Sequence, residues 1–289
     1  METSFDCIPC FVRQSLDAAR LATDDRSVQE QVLHVVLWRM SQMSLRQSPL
    51  VLAQQVHRLV RDLVGQADPY HEVKQRANAL ALELYPRLAE MVARSDDALE
   101  TALRLAVAGN VIDLAVQGHV DREHVEGAIS HALAAPFNGQ AADLTRAISR
   151  AESILYLADN AGEIVFDRLL IERLSPGRVT VGVRGKPVLN DATLADAQAT
   201  GLTDLVEVID NGSDAPGTLL HDCSEAFQQR FEDAELVIAK GQGNYESLCH
   251  LRRDIFFVLK AKCTMIAAGL GCPVGSLVVR RSGQRTGET

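Results

Sequence analysis

Beyond residue 150 the apolar residues stop recurring at helical spacing and gather into short unbroken runs, at 153–158, 178–184, 205–209, 235–239, 263–268 and 276–279. Stretches with helical patterning separate them. Short runs with no polar alternation are buried on both faces, which is the pattern of parallel strands covered by helices above and below. The run spacing therefore predicts an α/β fold, a Rossmann-like doubly wound and mostly parallel sheet.

The first half carries the other period. Amphipathic stretches cover 11–22 and 28–43, Ser48-Pro49 opens a third helix that Gly65 closes, and 71–93 forms a fourth. An apolar helix over 96–116 stops at Gly118, and 121–133 ends at Ala135-Pro136. The expected organisation is an all-helical domain at 1–150, an α/β metal- and phosphate-binding domain at 151–280, and a flexible tail at 281–289.

With 289 residues and 47% hydrophobic content the chain can bury a full core. Its net charge of −9 argues against nucleic-acid and anionic-membrane partners, which need a basic stripe. No run of about 18 apolar residues and no signal-peptide layout is present, so a cytoplasmic location with reduced thiols is expected. Cys7-Ile-Pro-Cys10 lacks the second pair of a structural zinc site and lies outside a βαβ unit, so buried inert thiols are expected there, with a spatial partnership with Cys263 or Cys272 and redox chemistry as the alternatives. His119, His124 and His131 form no zinc motif. The oligomeric state is not legible.

The polar loops after the predicted strands carry the chemistry. The first is Asp159-Asn160-Ala161-Gly162-Glu163, and the second runs from Arg184 to Thr193 through Asn190-Asp191. The third holds Asn211, Gly212, Ser213, Asp214, Gly217 and Thr218, and the fourth is Lys240-Gly241-Gln242-Gly243-Asn244. Gly, Asn and Asp are ordinary turn residues singly. Four such loops on one sheet edge, where α/β sheets bind ligands, point to a phosphate and a divalent metal.

Asp159, Asn160 and Asp191 are the candidate metal ligands, all oxygen donors and too few for a closed cage. That suits Mg²⁺ or Mn²⁺, which retains waters and takes phosphate oxygens. Asn160 has a competing reading as a helix N-cap completed by Glu163 three residues on, and Asp191 as a cap near Ala192. Lys240, with Gly241, Gly243 and Asn244, is placed to meet a phosphate, although the loop is neither a P-loop nor a GxGxxG fingerprint. In the helical half, Lys74 and Asn78 share a helix face, and Gly109-Asn110 with Asp113 interrupts an apolar helix, a sign of close packing or a nearby ligand.

Together these segments resemble the metal-dependent damage-control phosphatases. The match runs from Cys7 to about Val279 and takes in Asp159–Glu163, Asn190-Asp191, Asn211 to Thr218 and Lys240 to Glu246. Cys7-x-x-Cys10, Asp68-Pro69-Tyr70 with Lys74 and Asn78, and Gly109-Asn110 with Asp113 are similar to its stand-alone prokaryotic branch. The resemblance implies one divalent metal (Mn²⁺, Mg²⁺, Co²⁺ or Ni²⁺) on Asp159, Asn160 and Asp191. It also implies a substrate phosphate on Lys240 and the glycine-rich backbone, and a small phosphorylated metabolite as substrate.

On this reading Asp159, Asn160, Asp191 and Lys240 are catalytic, with Glu163 a candidate base for water, and the nucleophile is either water or an aspartate such as Asp159. Gly162, Asn110, Asp113, Lys74, Asp214, Gly241, Gly243 and Asn244 form the substrate-binding set. The rivals are an S-adenosylmethionine-dependent methyltransferase and a non-catalytic phosphometabolite sensor. The acidic first loop, with its single glycine, disfavours the first of these.

Overall fold

A computed structural model describes residues 2–111 and 122–283. Among them the sheet has seven strands in the order β1-β7-β6-β5-β2-β3-β4. In chain order these are β1 (Phe137–Gly139), β2 (Ile154–Leu157), β3 (Val179–Val183), β4 (Glu207–Asp210), β5 (Leu236–Lys240), β6 (Ile255–Lys260) and β7 (Leu277–Arg281). Every neighbouring pair is parallel except β6 with β7. From β2 the chain winds outward through β3 and β4, then returns to lay β5 and β6 on the other side. The switch point of this winding lies between β2 and β5, where Leu157 pairs with Ala239.

Helices cover both faces. On one, Ile154, Tyr156, Ile238, Phe256 and Val258 join a core with Leu105, Ala106, Ile164, Phe166 and Leu170. These last come from α5 (Ala98–Val111) and α8 (Glu163–Ile171). On the other, Leu155, Leu157, Val237, Phe257 and Leu259 pack with Phe227, Phe231 and Leu248, from α10 (Glu225–Asp233) and α11 (Gly241–Leu248). A separate cluster of Ala18, Val32, Val36, Val56, Val60 and Tyr70 holds the first three helices together. They are α1 (Cys7–Ala22), α2 (Arg26–Ser41) and α3 (Pro49–Val64), the last capped by Ser48, whose side chain accepts from the Leu50 N–H.

Several expectations change. The run at 263–268 is not a strand but lies in α12 (Thr264–Leu270), whose buried residues Ile266, Ala267 and Leu270 fall at helical spacing. The strand is the preceding run, Ile255–Lys260, and residues before 150 contribute β1, which pairs with β7. Residue 150 does not separate two cores. The largest cluster contains Val73, Leu84 and Leu88 of α4 (His71–Arg94) together with the sheet. The proposed tail begins inside β7, where Arg281 Nε donates to Asp254 at 2.6 Å, and 284–289 lie outside the described residues.

Cys10 is exposed and Cys7 half-buried, because the inward face of α1 carries Phe11, Ser15, Ala18 and Ala19. His119 and Asp113 lie outside the described residues, as do the side chains of Asn110 and His124. No helix among the described residues is long and apolar enough to cross a membrane.

Candidate active site

The loop after β2 and the loop after β3 are joined backbone to backbone. Asn160 and Asp191 form an isolated antiparallel bridge, Ala161 N–H donates to Asn190 O at 2.9 Å, and Ala192 N–H donates to Asp159 O at 2.8 Å. This pairing brings Asp159, Asn160 and Asp191 to the switch point between β2 and β5. The turn into α8 requires Gly162, at φ 74°, where a Cβ would stand 3.0 Å from Ala77. The Gly162 N–H donates to Asn78 Oδ1 at 2.6 Å, so the fourth helix fixes the first loop.

The Asn160 amide donates twice, to Asp159 Oδ2 at 2.9 Å and to Glu163 Oε2 at 3.0 Å. No capping box forms here. Gly162 is the N-cap, and the capping box belongs to Thr193 and Asp196 at the start of α9 (Leu194–Ala199). Gly241, at φ 77°, sits against Asp159 so closely that a Cβ would be 1.9 Å from Oδ2.

Arg184 directly follows β3 and carries no role in the sequence reading, yet it lies between two of the candidate ligands. Its Nε donates to Asp191 Oδ2 at 2.6 Å, and its Nη1 reaches Thr218 Oγ1 and Asn244 Oδ1, each at 3.3 Å. Nη2 stands 3.9 Å from Asp159 Oδ1 and is buried with no hydrogen-bond partner. Burial raises the Asp159 carboxyl well above its ordinary range, and the negative charges of Glu163 and Asp191 raise it further, against Lys262 and Arg184. Burial likewise raises Asp191, against Arg184 and Lys74.

Several expected site residues have other partners. Lys240 is fully buried, donating to Glu163 Oε1 at 2.5 Å, Asp167 Oδ1 at 2.6 Å and Ala106 O at 2.9 Å. Strand alternation explains this: Lys240 shares a sheet face with Leu236 and Ile238, so its chain runs beneath α8 rather than over the strand end. All three ammonium donors are occupied, which corrects the reading of Lys240 as a phosphate ligand. Glu163 is fully buried in the same network, which removes it as a base for water.

Lys74 lies 3.0 Å from both Asp68 and Asp196, and ties α4 to its neighbours. Asp214 accepts from Gln54 at 2.7 Å and from Arg58 and Arg61, and so clamps α3 onto the loop after β4. Burial pushes its carboxyl up, but the bonds from Arg58 and Gln54 outweigh that and hold it at about 2. Asn244 Nδ2 donates to Ala158 O and Lys240 O. A Cβ at Gly243 would meet Pro216 O at 2.2 Å, so Gly243 serves loop packing. Gly109 is explained by packing as well, since a Cβ there would stand 3.0 Å from Phe166 Cβ and 3.1 Å from Glu163 Cγ.

A divalent cation fits the remaining donors. Asp159 and Asp191 offer carboxylates and Asn160 an amide oxygen, all three on residues buried at the strand ends. Among the described residues no three His, Cys, Asp or Glu side chains converge as a complete cage. Two carboxylates and an amide suit a hard ion that keeps water and substrate oxygens. An open cleft of about 810 Å³, lined by Arg178, Thr180, Glu207 and Arg230, lies at the opposite ends of the strands. Its two arginines are already engaged, Arg178 with Leu174 O and Ala151 O, and Arg230 with Glu207.

Comparison with known proteins places the chain in one family. A family model described as the damage-control phosphatase ARMT1-like domain matches residues 3–278. A damage-control phosphatase of Archaeoglobus fulgidus is 33% identical, over 97% of this chain and 99% of its own. An uncharacterized protein of Methanocaldococcus jannaschii is 36% identical over 95% of this chain and 93% of its own. The crystal structure of a DUF89 family protein from Pyrococcus horikoshii superposes with a TM-score of 0.88 at 31% identity, covering 98% of this chain and 99% of that one. The class these findings define is a phosphatase on a doubly wound α/β scaffold. The chain belongs to the damage-control phosphatase ARMT1-like family, and neither the methyltransferase nor the sensor reading gains support.

Proposed function

We propose that the chain hydrolyses phosphomonoesters of small, damaged or surplus metabolites in a reaction that depends on a divalent metal. The observation that carries this is the bridge between the β2 and β3 loops, which sets Asp159, Asn160 and Asp191 side by side at the switch point. These three would hold the cation. When bound, Mn²⁺, Mg²⁺, Co²⁺ or Ni²⁺ would polarise the phosphoryl oxygens.

The protein's own cations supply the rest. Arg184 and Lys262 both act on Asp159, and positive charge fixed there favours the charge that builds on a phosphoryl group during transfer. Lys262 lies just past the end of β6, on the sheet edge that carries the other loops. The first turn of α11 begins at Gly241 against Asp159 and adds backbone N–H groups at that edge. α3 and α4 bound this edge through the Asp214 clamp and the Asn78 bond.

The test is hydrolysis of p-nitrophenyl phosphate by the purified protein with each metal, before and after EDTA. Turnover that EDTA abolishes and added metal restores is expected. Turnover indifferent to EDTA overturns the metal dependence. A screen of phosphorylated metabolites then ranks substrates by kcat/KM.

A further inference from the structure

We infer that Lys240 is a positioning residue for the metal ligand Asn160, acting through Glu163. An amide has two donors on one atom and its acceptor on another, so fixing the donors fixes the acceptor. Both Asn160 donors are engaged, one by Asp159 Oδ2 and one by Glu163 Oε2. In the opposite rotamer the amide oxygen would face two carboxylates, an arrangement without a hydrogen bond. Asn160 therefore keeps its oxygen turned away from Asp159 and Glu163, in the orientation a metal ligand needs.

Glu163 accepts the Asn160 bond through Oε2 and is fully buried. Its charge is held by the Lys240 ammonium at 2.5 Å, which also bonds Asp167 at 2.6 Å and Ala106 O at 2.9 Å. Tyr156 OH donates to the same Asp167 oxygen at 2.7 Å. The result is an unbroken line of hydrogen bonds running Asp159, Asn160, Glu163, Lys240, Asp167, Tyr156, beneath the proposed site. Gly109 packs against it, since a Cβ there would stand 3.1 Å from Glu163 Cγ, and Ala106 one turn earlier on α5 supplies the carbonyl for the lysine. The lysine at the end of β5, which the sequence assigns to a phosphate, and the glycine inside an apolar helix thus belong to one device. Partners of this kind orient metal ligands and raise affinity without touching the ion.

The inference rests on the proposed metal reading, and the experiment separates the two. Mn²⁺ affinity is measured by titration calorimetry on the wild type, on Glu163→Gln, and on the double variant Glu163→Gln with Lys240→Met. The double variant removes the Glu163 and Lys240 charges together and leaves Asp167 on the Tyr156 hydroxyl, where burial favours its neutral form. The fold therefore stays testable if the single change does not fold. A Gln at 163 can rotate to offer either oxygen or N–H, so Asn160 loses its fixed orientation. Mn²⁺ binding is expected to weaken by roughly 10- to 100-fold in both variants, while the metal-free proteins still unfold cooperatively. A folded variant that binds Mn²⁺ within about twofold of the wild type overturns the positioning role. A wild type that binds no divalent cation overturns the metal reading and this inference with it.

Discussion

Arg184 donates from Nε to Asp191 at 2.6 Å while its unpaired Nη2 stands 3.9 Å from Asp159. One buried guanidinium thus spans the two carboxylates assigned to the metal. Arg184→Leu leaves Asp191 buried and unpaired, and a loss of roughly 3–5 kcal/mol in urea unfolding is expected. Arg184→Lys restores the charge but not the fork, since a point charge cannot address both carboxylates at once. It should recover most of the stability and little of kcat/KM; wild-type kcat/KM in that variant would remove Arg184 from the site.

Gly241 tests the position of Asp159 directly. An alanine there would place its Cβ 1.9 Å from Asp159 Oδ2, and the φ of 77° adds backbone strain of about 1–2 kcal/mol. The carboxylate has to move, and displacement of about 1 Å at a reacting centre costs on the order of 100-fold in rate. Gly177→Ala, which meets nothing within 4 Å, is the control and should match the wild type in both turnover and melting temperature. Equal activity in the Gly241 and Gly177 variants would show that Asp159 is not held where the chemistry needs it.

His57 predicts how stability depends on pH. Burial lowers its imidazole to about 4, with Arg61 lowering it further and Asp214 opposing. The folded pKa lies below the unfolded value near 6.5, so the unfolded chain binds the extra proton between the two. Stability is therefore full above pH 6.5 and falls as the pH drops toward 4. The drop from pH 7 to pH 5 attributable to His57 is about 2 kcal/mol. Denaturation at both pH values should show it in the wild type and lose it in His57→Leu; an unchanged difference in that variant would rule His57 out as its source.

The double winding was legible because fully buried strands such as Ile154–Leu157 and Leu236–Lys240 are short and almost wholly apolar. The meeting of Asp159, Asn160 and Asp191 was legible because Asp, Asn and Gly after such strands gather at one sheet edge. What the sequence hid is direction. Lys240 reads as a cation at a strand end, yet the pleat sends it into the core. Asp214 and Lys74 read as site charges, yet each finds its partner on a segment far away in the chain. The strand Ile255–Lys260 was overlooked because the apolar stretch after it, now α12, looked equally strand-like, and Lys262 disappeared with it.

Lys262 is the cation that this misreading concealed. Its positive charge acts on the Asp159 carboxyl alongside that of Arg184, whose guanidinium is 3.9 Å away. It also lowers the ionisation of Lys260, so the two lysines share one neighbourhood at the end of β6, where burial is the larger influence on Lys260. A phosphate brought to this edge would meet the positive charge of both lysines. Lys262→Met should raise the inhibition constant for inorganic phosphate by roughly tenfold, the effect of losing about 1.4 kcal/mol of charge attraction. Because Lys262 is half-buried at the edge of the sheet, the variant's stability should change by no more than about 0.5 kcal/mol. The loss should shrink as salt is raised, since partly exposed charges are screened. Phosphate inhibition that is unchanged at low salt would place the phosphate on Arg184 and the α11 backbone alone.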